Sequence, residues 1–301
     1  MNIVSKPFST VVELMSFQDK VKHYFLDNGS TEIIFNDIGY VKVNNFGEKL
    51  YGIWNVAQNC ALAQEQEWSG IIKNHFDHLL TIPAETEDYI LRTKDFSNVK
   101  EDLRLQLYPT KYLEGIDEKL VHELVSRIDI PGTLSMVVID LPSALQSIRR
   151  SDLESWNVTE DEVFSIALLN SLSATEAKRG ILESNGIISL LYLAGESLLT
   201  SVQVFNADIT KGMDEETGML ISIPTRHVVL LYPVENLSVL KAISVMGSVT
   251  YKLNLAGPGS LSPLLYWYKN KTFTVLPYSI EDNKFNFTPP QEFIDILNTL
   301  K

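Results

Sequence analysis

Five histidines and one cysteine bound the supply of reactive side chains in this chain. His75 and His78 stand three residues apart, a spacing that places both on one helix face, with Asp77 beside them. They are the best candidates for holding a metal. A metal needs three or four converging ligands, and His75 also falls on an apolar stripe, where a packed histidine has the same signature. His122-Glu123 begins like the zinc-protease motif HExxH, but position 126 is Ser126, so the second imidazole one turn on is missing. Cys60 is followed by Glu65 and Glu67. That is no electropositive setting to lower a thiol, and a buried, inert thiol is expected.

Arg226-His227 is the best candidate for acid–base or anion chemistry. An imidazole at a strand bend can serve as acid or base near physiological pH, and a guanidinium grips carboxylate or phosphate. A hydrolase reading would complete this pair with a carboxylate such as Asp208 or Asp214. The competing reading is an exposed, solvated pair. Arg149-Arg150 is the one adjacent arginine pair and could grip an anion, although Asp152 and Glu154 are ready local partners. Tyr266-Trp267-Tyr268 concentrates aromatic rings on a strand. Alternation puts Trp267 on the face opposite Tyr266 and Tyr268, so one face could be core and the other an exposed binding patch.

Phosphate-cradling patterns are absent. No Gly-x-x-x-x-Gly-Lys-Ser/Thr occurs, and Gly257-Pro258-Gly259 lacks the third glycine of a dinucleotide fingerprint. No Gly-x-Ser-x-Gly elbow occurs either. No cofactor is expected.

The chain has 301 residues, 25 basic and 38 acidic side chains, and a net charge of −13. Nucleic-acid binding rests on Lys and Arg neutralising phosphates, so an evenly acidic chain argues against it and permits a basic protein partner. The longest apolar stretch, Gly186 to Gly195, falls short of the roughly 20 residues a bilayer requires. The first residues carry no apolar run with a cleavage site. One cysteine fits a reducing compartment. These features together predict a cytoplasmic protein with no membrane contact.

The elements that must position these groups follow from periodicity. Residues 31–45 read as two short strands turning near Asn36-Asp37, with Asn28-Gly29 as a hairpin-type turn before them. Residues Leu50 to Leu79 carry apolar side chains at helical steps, with Gly70 the expected site of any break. The polar stretch Ala84 to Asp102 reads as a connection. Beyond it come a strand over Leu103–Pro109, a helix from about Asp117 to Arg127, and a strand over Leu134–Pro142. Thr159 and Glu162 form a capping box opening a helix. Strands are expected at IISLLYLA and TSVQVFN, then two more flanking a bend at Pro224 to His227. A helix over Val239–Val249 and strands at LLYWYKN and FTVLPYS follow. Thr288-Pro289-Pro290-Gln291 reads as a second capping box before a final helix. The pattern predicts an α+β fold of mostly antiparallel strand pairs alternating with helices. Two parts are expected: 1–100, with a strand pair and long helix, and 101–301, a larger α+β domain.

Over about residues 20–280 the chain resembles the YtpQ-like family of uncharacterised bacterial proteins. The resemblance rests on Trp156 before a helix opened by Thr159, the Ala167-x-x-Asn170 step, Tyr108-Pro109, and the apolar strands around Pro224. The bend here reads Thr225-Arg226-His227-Val228, where the family is expected to carry histidine directly after the proline and an aspartate later. The resemblance implies a bacterial intracellular α+β protein and brings no reaction with it. With no phosphate loop, triad spacing or metal set in the sequence and an acidic charge balance, the expected function is a non-enzymatic binding or interaction module, such as an immunity or inhibitor protein with an acidic surface. The alternative is a hydrolase-type enzyme assembled around His227 and Arg226.

Overall fold

The fold was established from a computed structural model, which describes residues 7–8, 10–35, 40–44, 49–78, 93–114, 118–141, 145–184, 188–206, 216–281 and 284–300. The chain divides into two compact units. One comprises Met1–Thr93 with Pro142–Ala144 and Leu255–Pro258; the other comprises Lys94–Leu141, Leu145–Asn254 and Gly259–Lys301. The class is α+β, and every strand pairing among the described residues is antiparallel.

The smaller unit opens with helix α1 (Val11–Asp27), which the sequence reading did not foresee. Thr10 Oγ1 accepts from the Glu13 amide at 3.1 Å, and Glu13 reaches back to the Thr10 amide at 2.9 Å. This reciprocal capping satisfies two amides that the first turn otherwise leaves open. Asn28 and Gly29 end this helix rather than forming a hairpin turn, with Gly29 at φ 86°. Strands β1 (Ile33–Phe35) and β2 (Tyr40–Val43) pair as expected, Ile33 opposite Val43, and β3 (Lys49–Gly52) adds to β2. The Asn36-Asp37 turn lies outside the described residues. The expected long helix is instead β3, then α2 (Trp54–Ala61), a 3₁₀ turn over Glu65–Glu67, and α3 over 68–78. Its break falls at Leu62–Gln64, not at Gly70, because Gln64 caps the next turn with Glu67. Phe17, Phe25, Val41, Val56, Cys60 and Phe76 form the core of this unit.

The larger unit holds two main sheets. In the first, β4 (Leu103–Pro109) lies at one edge beside β6 (Thr133–Asp140), which also pairs with β5 (Ser126–Arg127) and β7 (Leu145–Ser147). The expected helix near residue 117 shrinks to α5 (Glu118–Glu123), after a four-residue helix α4 (Phe96–Val99). The reason is sheet formation. Val125 donates to Ile148 O at 3.2 Å and accepts from Val137 N at 3.1 Å, leaving Ile128 65% exposed. Helix α6 (Arg150–Trp156) leads into α7 (Glu160–Ala174), whose start is capped by Thr159 Oγ1 accepting from Glu162 N at 3.2 Å. Val163, Phe164 and Ala167 are its buried face.

The second sheet has six strands in the order β13-β12-β10-β11-β9-β8. These are β8 (Lys178–Ser184), β9 (Ile188–Ala194), β10 (Met219–Thr225), β11 (Val228–Pro233), β12 (Leu265–Lys269) and β13 (Thr272–Leu276). Helix α8 (Val239–Ala256) and helix α9 (Gln291–Leu297) cover one face, together with the hairpin of β14 (Tyr278–Glu281) and β15 (Lys284–Phe287). Leu190, Leu220, Leu230, Met246, Trp267 and Phe293 meet there. The segment TSVQVFN is not a strand. Thr200–Phe205 forms a 3₁₀ helix against β4, β9 and β11, since Ser201 N spends its hydrogen bond on Arg226 O at 2.9 Å. Thr288 does not cap α9. Its amide donates to Pro277 O at 3.0 Å, and Pro290 occupies the cap position.

Candidate functional site

The Arg226-His227 turn joins two strands of the central sheet. Strand β10 is buried along its length, and its pairing with β11 breaks register between Ser222 and Thr225. That irregularity accommodates Pro224, which has no N–H for a ladder. Past the break, β10 changes neighbours. Ser262 N donates to Ile223 O at 3.1 Å, Leu261 N to Pro224 O at 2.9 Å, and Arg226 N to Gly259 O at 2.8 Å. Gly259 stands at φ +75°, a conformation that side-chain-bearing residues rarely adopt. On the other side, Gly195 N donates to His227 O at 3.1 Å, and Ser201 N holds the Arg226 carbonyl. Thr225 Oγ1 accepts from His227 N at 3.2 Å. The turn backbone is thus held by three separate segments, and its two side chains project from a fixed frame.

The Arg226 side chain is half-buried, with its guanidinium carbon 4.8 Å from the ring centroid of Tyr108. Tyr108, next to last in β4, packs on Tyr112 with centroids 4.3 Å apart. Burial pushes the Tyr108 hydroxyl up to about 12 and raises Tyr112 as well, while the Arg226 charge pulls both the other way. The Arg226 Nε is sealed from solvent with no hydrogen-bond partner among the described residues. The arginines that form ion pairs among the described residues are Arg104, Arg127 and Arg150. Arg226 has no carboxylate within 4.0 Å among them. A planar guanidinium in this position can take a carboxylate or phosphate on its outward edge. His227 Nδ1 lies 3.2 Å from Gly195 O; a proton on Nδ1 would bond that carbonyl and leave Nε2 as acceptor. Asp208 and Asp214, which the hydrolase reading needs, lie outside the described residues.

The remaining candidates are dispersed. His75 sits on α3 in the smaller unit, edge-on to Phe76 at 5.0 Å, with Nε2 buried and without a partner among the described residues. Burial lowers its pKa, a hydrogen bond to the Gly52 backbone opposes this, and His78 adds to the lowering. His78 is exposed on the same helix. Asp77, between them, hydrogen-bonds Tyr24 at 2.8 Å and pairs with Lys73, which hold its carboxyl below the usual range. Among the described residues no group of three or more His, Cys, Asp or Glu is placed to hold a metal ion. Cys60 is buried, which pushes its thiol up to about 11.

Arg150 pairs with Glu160 across the α6–α7 junction and donates from Nε to His122 O at 3.0 Å. Neither of the expected partners, Asp152 and Glu154, holds it. Asp152 instead accepts from the Arg149 backbone amide at 2.7 Å. Tyr266 and Trp267 occupy opposite faces of β12, and both are buried. The Tyr266 hydroxyl donates to Pro131 O at 2.7 Å, and the Trp267 indole donates to Thr217 O at 2.8 Å. An exposed aromatic face therefore does not form at these two positions. Tyr268, half-buried, packs on Phe273 with centroids 4.6 Å apart. The residues that sequence reasoning missed are Tyr108, Tyr112 and Gly259. Their only local signal was an aromatic pair closing a strand and a glycine pair too short for a phosphate loop.

No helix among the described residues is long and apolar enough to cross a membrane. Comparisons with protein-family models, with curated proteins and with solved structures returned no match.

Proposed function

We propose that the chain is a non-enzymatic binding module, of the kind an immunity or inhibitor protein represents. In this reading the net charge of −13 steers a basic protein partner toward it, and Arg226 engages one carboxylate or phosphate group of that partner. The observation that carries the reading is the state of Arg226. It is half-buried against Tyr108, with Nε sealed and neither a partner for it nor a carboxylate in reach among the described residues. A chain with 38 acidic side chains has ample means to neutralise such a cation. Stacking on one ring offsets only about 0.5–2 kcal/mol, so the guanidinium keeps capacity for a charge-assisted hydrogen bond. Long-range attraction and one local contact are compatible, because the first sets encounter rate and the second fixes orientation. The likeness to YtpQ-like proteins and a cytoplasmic setting belong to the same proposal.

The test compares wild type and Arg226→Gln as baits at about 50 mM and about 500 mM salt, a range over which screening of exposed charges becomes strong. A protein partner retained by wild type at low salt, released at high salt and not retained by Arg226→Gln supports the reading. Retention indifferent to both salt and Arg226 overturns it.

A further inference from the structure

Strand β8 closes one edge of the six-stranded sheet, and its exposure sets it apart. Lys178, Arg179, Ile181, Leu182 and Glu183 are all exposed, with Ile181 at 61% and Leu182 at 38%. Its pairing with β9 runs without a bulge from Lys178 opposite Ala194 to Ser184 opposite Ile188. Gly180 fits because the Tyr192 ring of β9 lies where a Cβ would stand. No proline, bulge or covering segment among the described residues blunts the outer edge; of the usual protections of a free strand, β8 carries only charged side chains, Lys178, Arg179 and Glu183. The contrast with β4 is direct, since Ser171 and Asn170 of α7 bond that strand's edge.

The charges on β8 are arranged to match themselves. Arg179, Ile181 and Glu183 project from one face, where Ile181 lies opposite Leu191, itself 37% exposed. A twofold axis normal to the sheet must pair residues that share a face. Centred on Ile181, it sets Arg179 opposite Glu183 of the second copy, and Glu183 opposite its Arg179. Ile181 then meets Ile181, and on the other face Leu182 lies opposite Gly180 of the second copy, beside the Tyr192 ring that covers it. Centring on Gly180 or Leu182 instead puts Arg179 opposite Ile181, or Ile181 opposite Glu183, and loses the match.

We propose that β8 is a homodimer edge: a second copy of this chain adds antiparallel across Ile181, making one continuous sheet from two. Such an isologous contact is self-complementary, and main-chain pairing supplies the affinity while the side chains set the register. The strand carries two cations and one carboxylate, so the acidic net charge of the chain is not concentrated at the contact.

The test is sedimentation equilibrium of the full 34.0 kDa chain over a concentration series reaching about 100 μM, a range that registers micromolar association. A monomer–dimer equilibrium is expected for wild type. Arg179→Glu places like charges opposite one another and weakens it by about tenfold or more. Arg179→Glu with Glu183→Arg restores it. Hydrogen exchange of the amides over residues 178–184 is expected to slow as concentration rises. All substituted residues are exposed, and circular dichroism reports whether each variant is folded. A wild-type chain that stays monomeric overturns the proposal. So does a dimer indifferent to Arg179→Glu, a double variant that fails to restore association, or growth into open polymers.

Discussion

The side-chain oxygen of Ser171 accepts a hydrogen bond from the backbone amide of Leu105 at 2.8 Å. Leu105 lies on the edge strand β4, and its amide is buried away from water. Ser171 donates its own hydroxyl hydrogen bond to Ala167 O at 2.8 Å, so a helix residue completes the ladder that the sheet lacks. Asn170 does the same for the Leu103 carbonyl at 3.1 Å. One turn of α7 therefore closes a strand edge that would otherwise invite another chain.

Ser171→Ala removes that acceptor and leaves the Leu105 amide buried without a partner. The expected cost is about 1–3 kcal/mol. It reads as a lower urea midpoint with an unchanged slope, and as faster hydrogen exchange at the Leu105 amide. Unaltered exchange at that amide would show that the bond contributes nothing.

The Arg226–Tyr108 contact is separable by a double-mutant cycle. Tyr108→Phe keeps the ring under the guanidinium and preserves the interaction. Tyr108→Leu removes it. Measured against Arg226→Met, the coupling energy expected is about 0.5–2 kcal/mol for Tyr108→Leu. Additive effects in that cycle would mean that the cation does not interact with the ring.

His75 gives the smaller unit a pH dependence of definite sign. Burial holds its pKa in the fold below the ordinary value of 6.5. The unfolded chain takes up the proton first, so it binds more protons than the fold as pH drops through that region. Stability is therefore full above about pH 6.5 and falls on acidification below it. His75→Gln removes this term. The loss of urea midpoint between about pH 7.5 and about pH 5.5 is expected to be smaller in the variant than in wild type. An equal loss would assign the pH dependence to other groups.

Local pattern was enough for several elements. The strands at Ile33–Phe35, Leu103–Pro109 and Met219–Pro233 follow from apolar alternation and turn residues. The helix after Thr159 follows from its cap. The Thr10–Glu13 signal was equally present but masked. Val11, Val12 and Met15 are exposed, so the apolar positions of α1 do not trace a clean stripe. At 118–128 and 200–206 local preference lost to partners elsewhere. Val125 found Ile148 and Val137, and Ser201 found Arg226.

The candidate site was half legible. Composition and spacing singled out Arg226 and His227, because few residue types carry such chemistry and a proline bend precedes them. Nothing local announced Tyr108 beneath the guanidinium, the Gly259 carbonyl that anchors the turn, or the burial of Tyr266 and Trp267 on both faces of one strand.

Residue order alone determined the α+β class and the preference for antiparallel strand pairs, since period, caps and turns act over a few neighbouring positions. Which side chains meet, which strand edge is covered by Ser171 and which is left open at Ile181 was decided only by packing. Those contacts join segments far apart along the chain, and their free energy exists only once the sheets and helices have closed on one another.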